Sequence, residues 1–159
     1  MPREDDRGKT IAGDRAQQYL DIAGVIIVVL GADERVQLIN RKGCDVLGYP
    51  ESEIRGLNWF DSFVPDRERE RTRETFRKLV EGELRVAEKF RNAVVNRDGQ
   101  TRLIDWHNAV LQNQEGRITA TLSSGEDVTD RVRGEQKERE LQEQLRQSQK
   151  MEAIGSLAG

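Results

Sequence analysis

One histidine and one cysteine bound the chemistry open to this chain. A lone cysteine closes no internal disulfide, and together with a single histidine it cannot fill a tetrahedral zinc site. His107 sits in Asp105-Trp106-His107-Asn108, inside a strand-like stretch. Histidine is a common axial haem ligand, so haem or metal binding is the chemistry to weigh there. A solitary histidine on a strand reads instead as a hydrogen-bonded structural residue. Cys44 has Asp45 beside it and only Lys42 as a nearby cation. It lacks the electropositive setting that activates a thiolate, so it reads as a buried, inert thiol. Asp61, Asp66 and Glu68 cluster near a helix start, where carboxylates are explained by capping and the helix dipole. Gly8-Lys9-Thr10 fails as a phosphate loop, because the position needing the first glycine is Arg3 and no strand precedes it. No Gly-x-Gly-x-x-Gly stretch and no Ser/His/Asp or Cys/His order stands out. The reading is no catalytic residue, no metal site and no cofactor.

What positions these residues is one domain with an appendage. The 159 residues are 35% hydrophobic and 35% charged, and the charged share is well above the usual quarter. A core can be buried, but part of the chain must stay in water. A net charge of −3 argues against a nucleic-acid surface, since such domains are usually strongly basic. The longest apolar stretch, residues 23–32, is about half of what crosses a bilayer, so no membrane segment is expected. The charged opening MPREDDRGKT has no apolar core and is no secretory signal. A soluble, cytoplasmic protein follows.

Residues 1–13 read as a mobile polar tail, and residues 14–22 as a short helix carrying Tyr19, Leu20 and Ile22. The β-branched run 25–30 and the alternating run 35–39 predict a hairpin across the turn Gly31-Ala32-Asp33-Glu34. Short helical pieces fill residues 40–56, followed by the apolar cluster Trp59, Phe60, Phe63 and Val64. Residues 66–81 predict a helix, with Asp66 as its cap, Gly82 as its stop, and a stripe of Phe76, Leu79 and Val80. Its Arg and Glu residues pair along a solvated face. Strands over 86–95, 101–112 and 117–126 are joined by turns at Asn96-Arg97-Asp98-Gly99 and Asn113-Gln114-Glu115-Gly116. The order predicts an α+β fold, a five-stranded antiparallel sheet with helices on one face.

From residue 129 onward the composition predicts a long helix that buries little on its own domain. Its apolar groups, Val128/Val132, then Leu141/Leu145, then Met151/Ile154/Ala158, keep helical spacing but drift out of phase. That pattern predicts a dimeric coiled-coil helix with stutters, with Leu141, Leu145, Met151 and Ile154 at the dimer contact; the alternative is a solvated single helix.

In this order and spacing, several short stretches resemble a PAS domain of two-component signalling proteins over about residues 14–129. They are Gly24-Val25-Ile26 opening the first strand, Ile39-Asn40 closing the second, Gly48-Tyr49 and Glu53-Ile54-Arg55-Gly56 in the short helices, and Asp98-Gly99 and Gly116 at the turns. The most specific is Asp127-Val128-Thr129, similar to the signature that ends many such domains before an output helix. Residues 147–159 resemble the start of the dimerisation helix of a histidine kinase, whose phospho-accepting histidine would follow shortly; His107 is not that residue.

The resemblance implies a PAS sensor domain over residues 14–128 and an output helix over 129–159 leading into a truncated kinase dimerisation region. It also implies a possible small-molecule pocket between sheet and helices. Asp127, Val128 and Thr129 would form the signal-transfer junction, with Thr129 as N-cap and Asp127 paired to an arginine. A homodimer through the helix and a response regulator for the intact bacterial protein also follow. The flavin-photosensor cysteine motif is missing, since Cys44 lies in Lys42-Gly43-Cys44-Asp45, and the helix after Pro65 has no histidine for haem. The pocket is therefore expected to be empty or to take a ligand of unknown class. The chain would have no catalytic activity of its own, while its intact parent would be a protein histidine kinase. A ligand-free PAS dimerisation module, or the front end of another output enzyme such as a nucleotide cyclase, are the rival readings.

Overall fold

A computed structural model describes residues 4–84 and 89–158. Eleven elements follow one another: α1 (Glu4–Ile22), β1 (Ile26–Gly31), β2 (Val36–Ile39), α2 (Arg41–Leu47), α3 (Glu51–Ile54), α4 (Trp59–Phe63), α5 (Asp66–Val80), β3 (Phe90–Val95), β4 (Thr101–Gln112), β5 (Ile118–Asp127) and α6 (Thr129–Ala158). The five strands form one sheet in the order β2-β1-β5-β4-β3, every neighbouring pair antiparallel. This is the expected α+β architecture with its long C-terminal helix. By contacts the chain divides into residues 1–127 and residues 128–159.

Within the first unit the core forms where the inward residues of β1 (Ile26, Val28 and Leu30) meet Trp59, Phe60 and Phe63 of α4 and Phe76 of α5. Burying each of these large apolar side chains contributes about 1.5–3 kcal/mol. β1 alternates buried and half-buried positions, as a strand with one face on a core must.

Asn40 ties three elements together and is fully buried. Its Oδ1 accepts from the backbone N–H of Ile27 at 2.9 Å and of Gly43 at 3.0 Å. Its Nδ2 donates to the carbonyls of Leu20 and Val25, both at 2.9 Å. One side chain thus caps α2, starts β1 and fixes the end of α1.

Two expectations are corrected. Residues 4–13 belong to α1 rather than to a polar tail. No proline interrupts the run from residue 4 to residue 22, so nothing in its residue types breaks the helix. Asp66 is the first residue of α5, not its cap; Pro65 holds the cap position, without a side-chain bond. The stop behaves as read, with Gly82 at φ 77°, a left-handed conformation that glycine adopts without strain. Residues 86–88 of the expected third strand lie outside the described residues.

In the second unit, α6 spans 30 residues, about 45 Å at helical rise. Leu141, Leu145, Met151 and Ile154 are all exposed on it. Arg146 and Glu143 pair at 2.8 Å one turn apart, which holds the Glu143 carboxyl below its ordinary range.

Candidate functional site

Alternation on four strands and one helical face together line a partly open cavity. Strand side chains two apart share a face, so Val28/Leu30, Phe90/Asn92, Trp106/Asn108 and Thr121/Ser123 all line it from the sheet. Thr72, Thr75, Phe76 and Leu79 close it from α5 at the spacing of one helical stripe, and Trp59 and Phe60 from α4. The cavity volume is about 60 Å³. Trp59 packs edge-on to Trp106 with centroids 5.9 Å apart, and Phe60 lies 5.2 Å from Phe76. Trp106 fits because Gly125 lies beneath it: a Cβ there would meet its ring at 2.6 Å.

Among the described residues the polar part of the wall is uncharged. Ser123 Oγ donates to Asn108 Oδ1 at 2.7 Å. The hydroxyls of Thr72 and Thr121 are buried and, among the described residues, have no hydrogen-bond partner. Thr121 is 1% exposed. Buried hydroxyls are normally satisfied, so two orphans on one cavity call for an occupant, water or ligand.

An ion cluster holds α5 over the cavity. Arg73 Nε donates to Glu34 Oε2 at 3.0 Å, and its terminal nitrogens reach Asp61 at 2.5 Å and Glu70 at 3.0 Å. The hydrogen bond to Asp61, ahead of the neighbouring Glu34 charge, raises the guanidinium pKa further. Glu34 sits at φ 68° in the β1–β2 turn, an uncommon conformation for a residue with a side chain. It also accepts from Asn58 Nδ2 at 3.0 Å, so the turn, α4 and α5 meet on one carboxylate.

At the end of β5, Asp127 Oδ2 accepts from Arg102 Nε of β4 at 2.8 Å, and the Asp127 side chain is 11% exposed. Val128 and Thr129 are buried. Thr129 is the first helical residue, and the Val128 carbonyl accepts from the Val132 N–H at 2.9 Å. The cap position therefore falls to Val128 rather than to Thr129.

The residues weighed for cofactor chemistry lie elsewhere. His107 is exposed on β4 and, by strand alternation, faces away from the Trp106 and Asn108 side of the cavity. Cys44 is half-buried against the core, and burial, followed by Glu51, Asp45 and Asp21, pushes its thiol pKa up. No group of three or more metal-ligating side chains occurs among the described residues, nor is any described helix long and apolar enough to cross a membrane. Sequence reasoning missed Thr72, Thr121 and the Arg73–Glu34 pair. The alternating Thr121, Ser123 and Gly125 on one strand face hinted at Thr121 alone.

A family model described as the PAS fold matches residues 20–133. No curated protein matches the chain. Solved structures do. The PAS domain of an HTR-like protein from Haloarcula marismortui is 22% identical, with 79% of this chain and 99% of that one covered at a TM-score of 0.61. A sensory box histidine kinase/response regulator from Burkholderia thailandensis E264 is 21% identical, covering 84% and 98% at 0.61. The RpfR quorum-sensing receptor PAS domain of Cronobacter turicensis, in complex with BDSF, is 23% identical, covering 67% and 96% at 0.58.

Proposed function

The chain belongs to the PAS-fold family, and from that premise we propose that it is the sensory and signal-transducing module of a two-component histidine kinase. A small molecule or partner acts on the first unit, and the response leaves through α6, which pairs with that of a second copy. The observation that carries this reading is the continuity of β5. Thr121 and Ser123 line the cavity, the same strand ends at Asp127 under the hold of Arg102, and Val128 alone separates it from α6. An occupant that changes the packing or twist of β4 and β5 acts directly on that ion pair, and a shift there re-aims or rewinds the helix pair.

The similarity to a histidine kinase/response regulator and to a receptor domain solved with a bound molecule supports the reading. So does the kinase-like stretch at residues 147–159. In this proposal the chain has no catalytic activity of its own. Its parent is a cytoplasmic bacterial kinase that passes phosphate to a response regulator.

Native mass spectrometry of freshly purified protein tests the sensing half, with a bound small molecule expected and a bare chain mass counting against it. Asp127→Ala in the intact kinase tests the relay. Basal or stimulated autophosphorylation is expected to change while the domain stays folded; if both activities and their ratio persist, this junction does not transmit.

A further inference from the structure

We infer that the cavity takes an uncharged, compact, flat molecule bearing a hydrogen-bond acceptor such as a carbonyl or amide oxygen. The inference rests on the reading of this cavity as a ligand site. Its grounds are the wall chemistry. No ionisable side chain lines the cavity among the described residues. A carboxylate or ammonium entering it would give up part of its hydration without gaining a counter-charge from the described residues. Arg73, on the helix that covers the cavity, is already held by Glu34, Asp61 and Glu70, so its charge is spent.

The wall also says what polar group fits. Ser123 gives its proton to Asn108. Thr121 and Thr72, one from the sheet and one from α5, keep hydroxyl protons with no taker among the described residues. An acceptor oxygen on the ligand satisfies a donor that otherwise stays buried and unpaired, and such pairing discriminates strongly against an analogue lacking the group. The remaining wall is aromatic, with Trp59, Trp106, Phe60 and Phe76 offering ring faces and edges. The volume of about 60 Å³ favours a ring or a short chain over a long one.

Benzamide, benzoate and toluene form a matched probe set: neutral acceptor, charged acceptor and no acceptor. The chain has two tryptophans, and both line the cavity. The two indole N–H signals in a nitrogen-15 NMR spectrum of the full chain therefore report on this site. Benzamide is expected to move both signals with an affinity at least about ten-fold above that of benzoate or toluene. Thr121→Val, which removes the hydroxyl at nearly constant shape, is expected to reduce benzamide to the toluene level without lowering the melting temperature. Thr72→Val provides the same test if the first variant does not fold.

Benzoate or toluene binding as tightly as benzamide would overturn the uncharged-acceptor class and leave the cavity a ligand site. Retained benzamide preference in the folded valine variants would do the same. If none of the three moves either indole signal, for instance because the cavity holds water only, the inference is wrong. Native mass spectrometry then decides the reading beneath it: a bare chain mass overturns that too, and a bound mass retains it.

Discussion

Replacing Asn40 by alanine should cost far more than a surface cap does. The side chain is fully buried and makes four hydrogen bonds to backbone groups, all within 3.0 Å. At about 1 kcal/mol per bond, Asn40→Ala is expected to lose about 4 kcal/mol, against the roughly 1 kcal/mol typical of an exposed N-cap. For a unit of this size that is a fall of about 15 °C in Tm. Asn40→Asp separates the two halves of the network. It keeps the acceptor for Ile27 and Gly43 but turns a carboxylate oxygen toward the carbonyls of Leu20 and Val25. The folded state should then raise that carboxyl's pKa, so it binds a proton more tightly folded than unfolded. Stability of this variant relative to wild type should therefore improve as pH falls from about 7 toward 5. Urea unfolding followed by tryptophan fluorescence measures both, since Trp59 and Trp106 lie in the same unit as Asn40. A loss below about 1.5 kcal/mol for Asn40→Ala at unchanged m-value would refute the reasoning, because the network would then be worth a single bond.

Arg73→Ala should destabilise by about 2 kcal/mol, and Arg73→Lys should rescue less than half, because only the guanidinium fork reaches Glu34, Asp61 and Glu70 together; thermal melts of both variants check this. The raised Cys44 pKa means the folded state keeps its proton where the unfolded thiol has lost it. Iodoacetamide labelling at pH 8 should thus be several-fold slower folded than in urea, and the Cys44 contribution to stability, intact below the ordinary thiol pKa, should fade as pH rises above it. Equal labelling rates would sink this. Leu141→Glu combined with Leu145→Glu should convert a dimer to a monomer in light scattering, with the circular dichroism of the first unit unchanged; a monomeric wild-type chain would rule out the dimer helix.

Much of the sheet was legible because each strand announces itself locally. Asp98-Gly99 and Gly116 mark the turns, and both glycines adopt the left-handed conformation such turns need. The start of α1 was not legible. Gly8 and Gly13 and a dense set of charges look like loop composition, and nothing in residues 4–13 has a hydrophobic period to betray a helix. A pocket between sheet and helices was expected from the family resemblance, but its polar wall was hidden for a different reason. Its polar wall pairs Ser123 of β5 with Asn108 of β4, and that contact exists only in the observed register. Likewise, an arginine partner for Asp127 was foreseeable from charge, but Arg102 emerges only once Ile104 stands opposite Asp127. Motifs carried the residue types; pairing between distant strands decided which of them meet.

The place of β1 between β2 and β5 also governs the order in which this domain can be made. Its register with β5 runs from Ile26↔Gly125 to Gly31↔Ala120, so partners at the open end lie 99 positions apart in the chain. While the chain is being synthesised, the β1–β2 hairpin exists long before its second neighbour, with the edge Ile26-Ile27-Val28-Val29-Leu30 unpaired. Such an apolar edge recruits foreign strands. The β3-β4-β5 meander closes by short hairpins, and the slow step is its docking onto the waiting hairpin across a long loop. A ribosome pausing before residue 118 thus holds a nascent chain suited to chaperone capture or aggregation. Grafts of this sensor onto another output helix should be joined after Asp127, where the last strand is already complete.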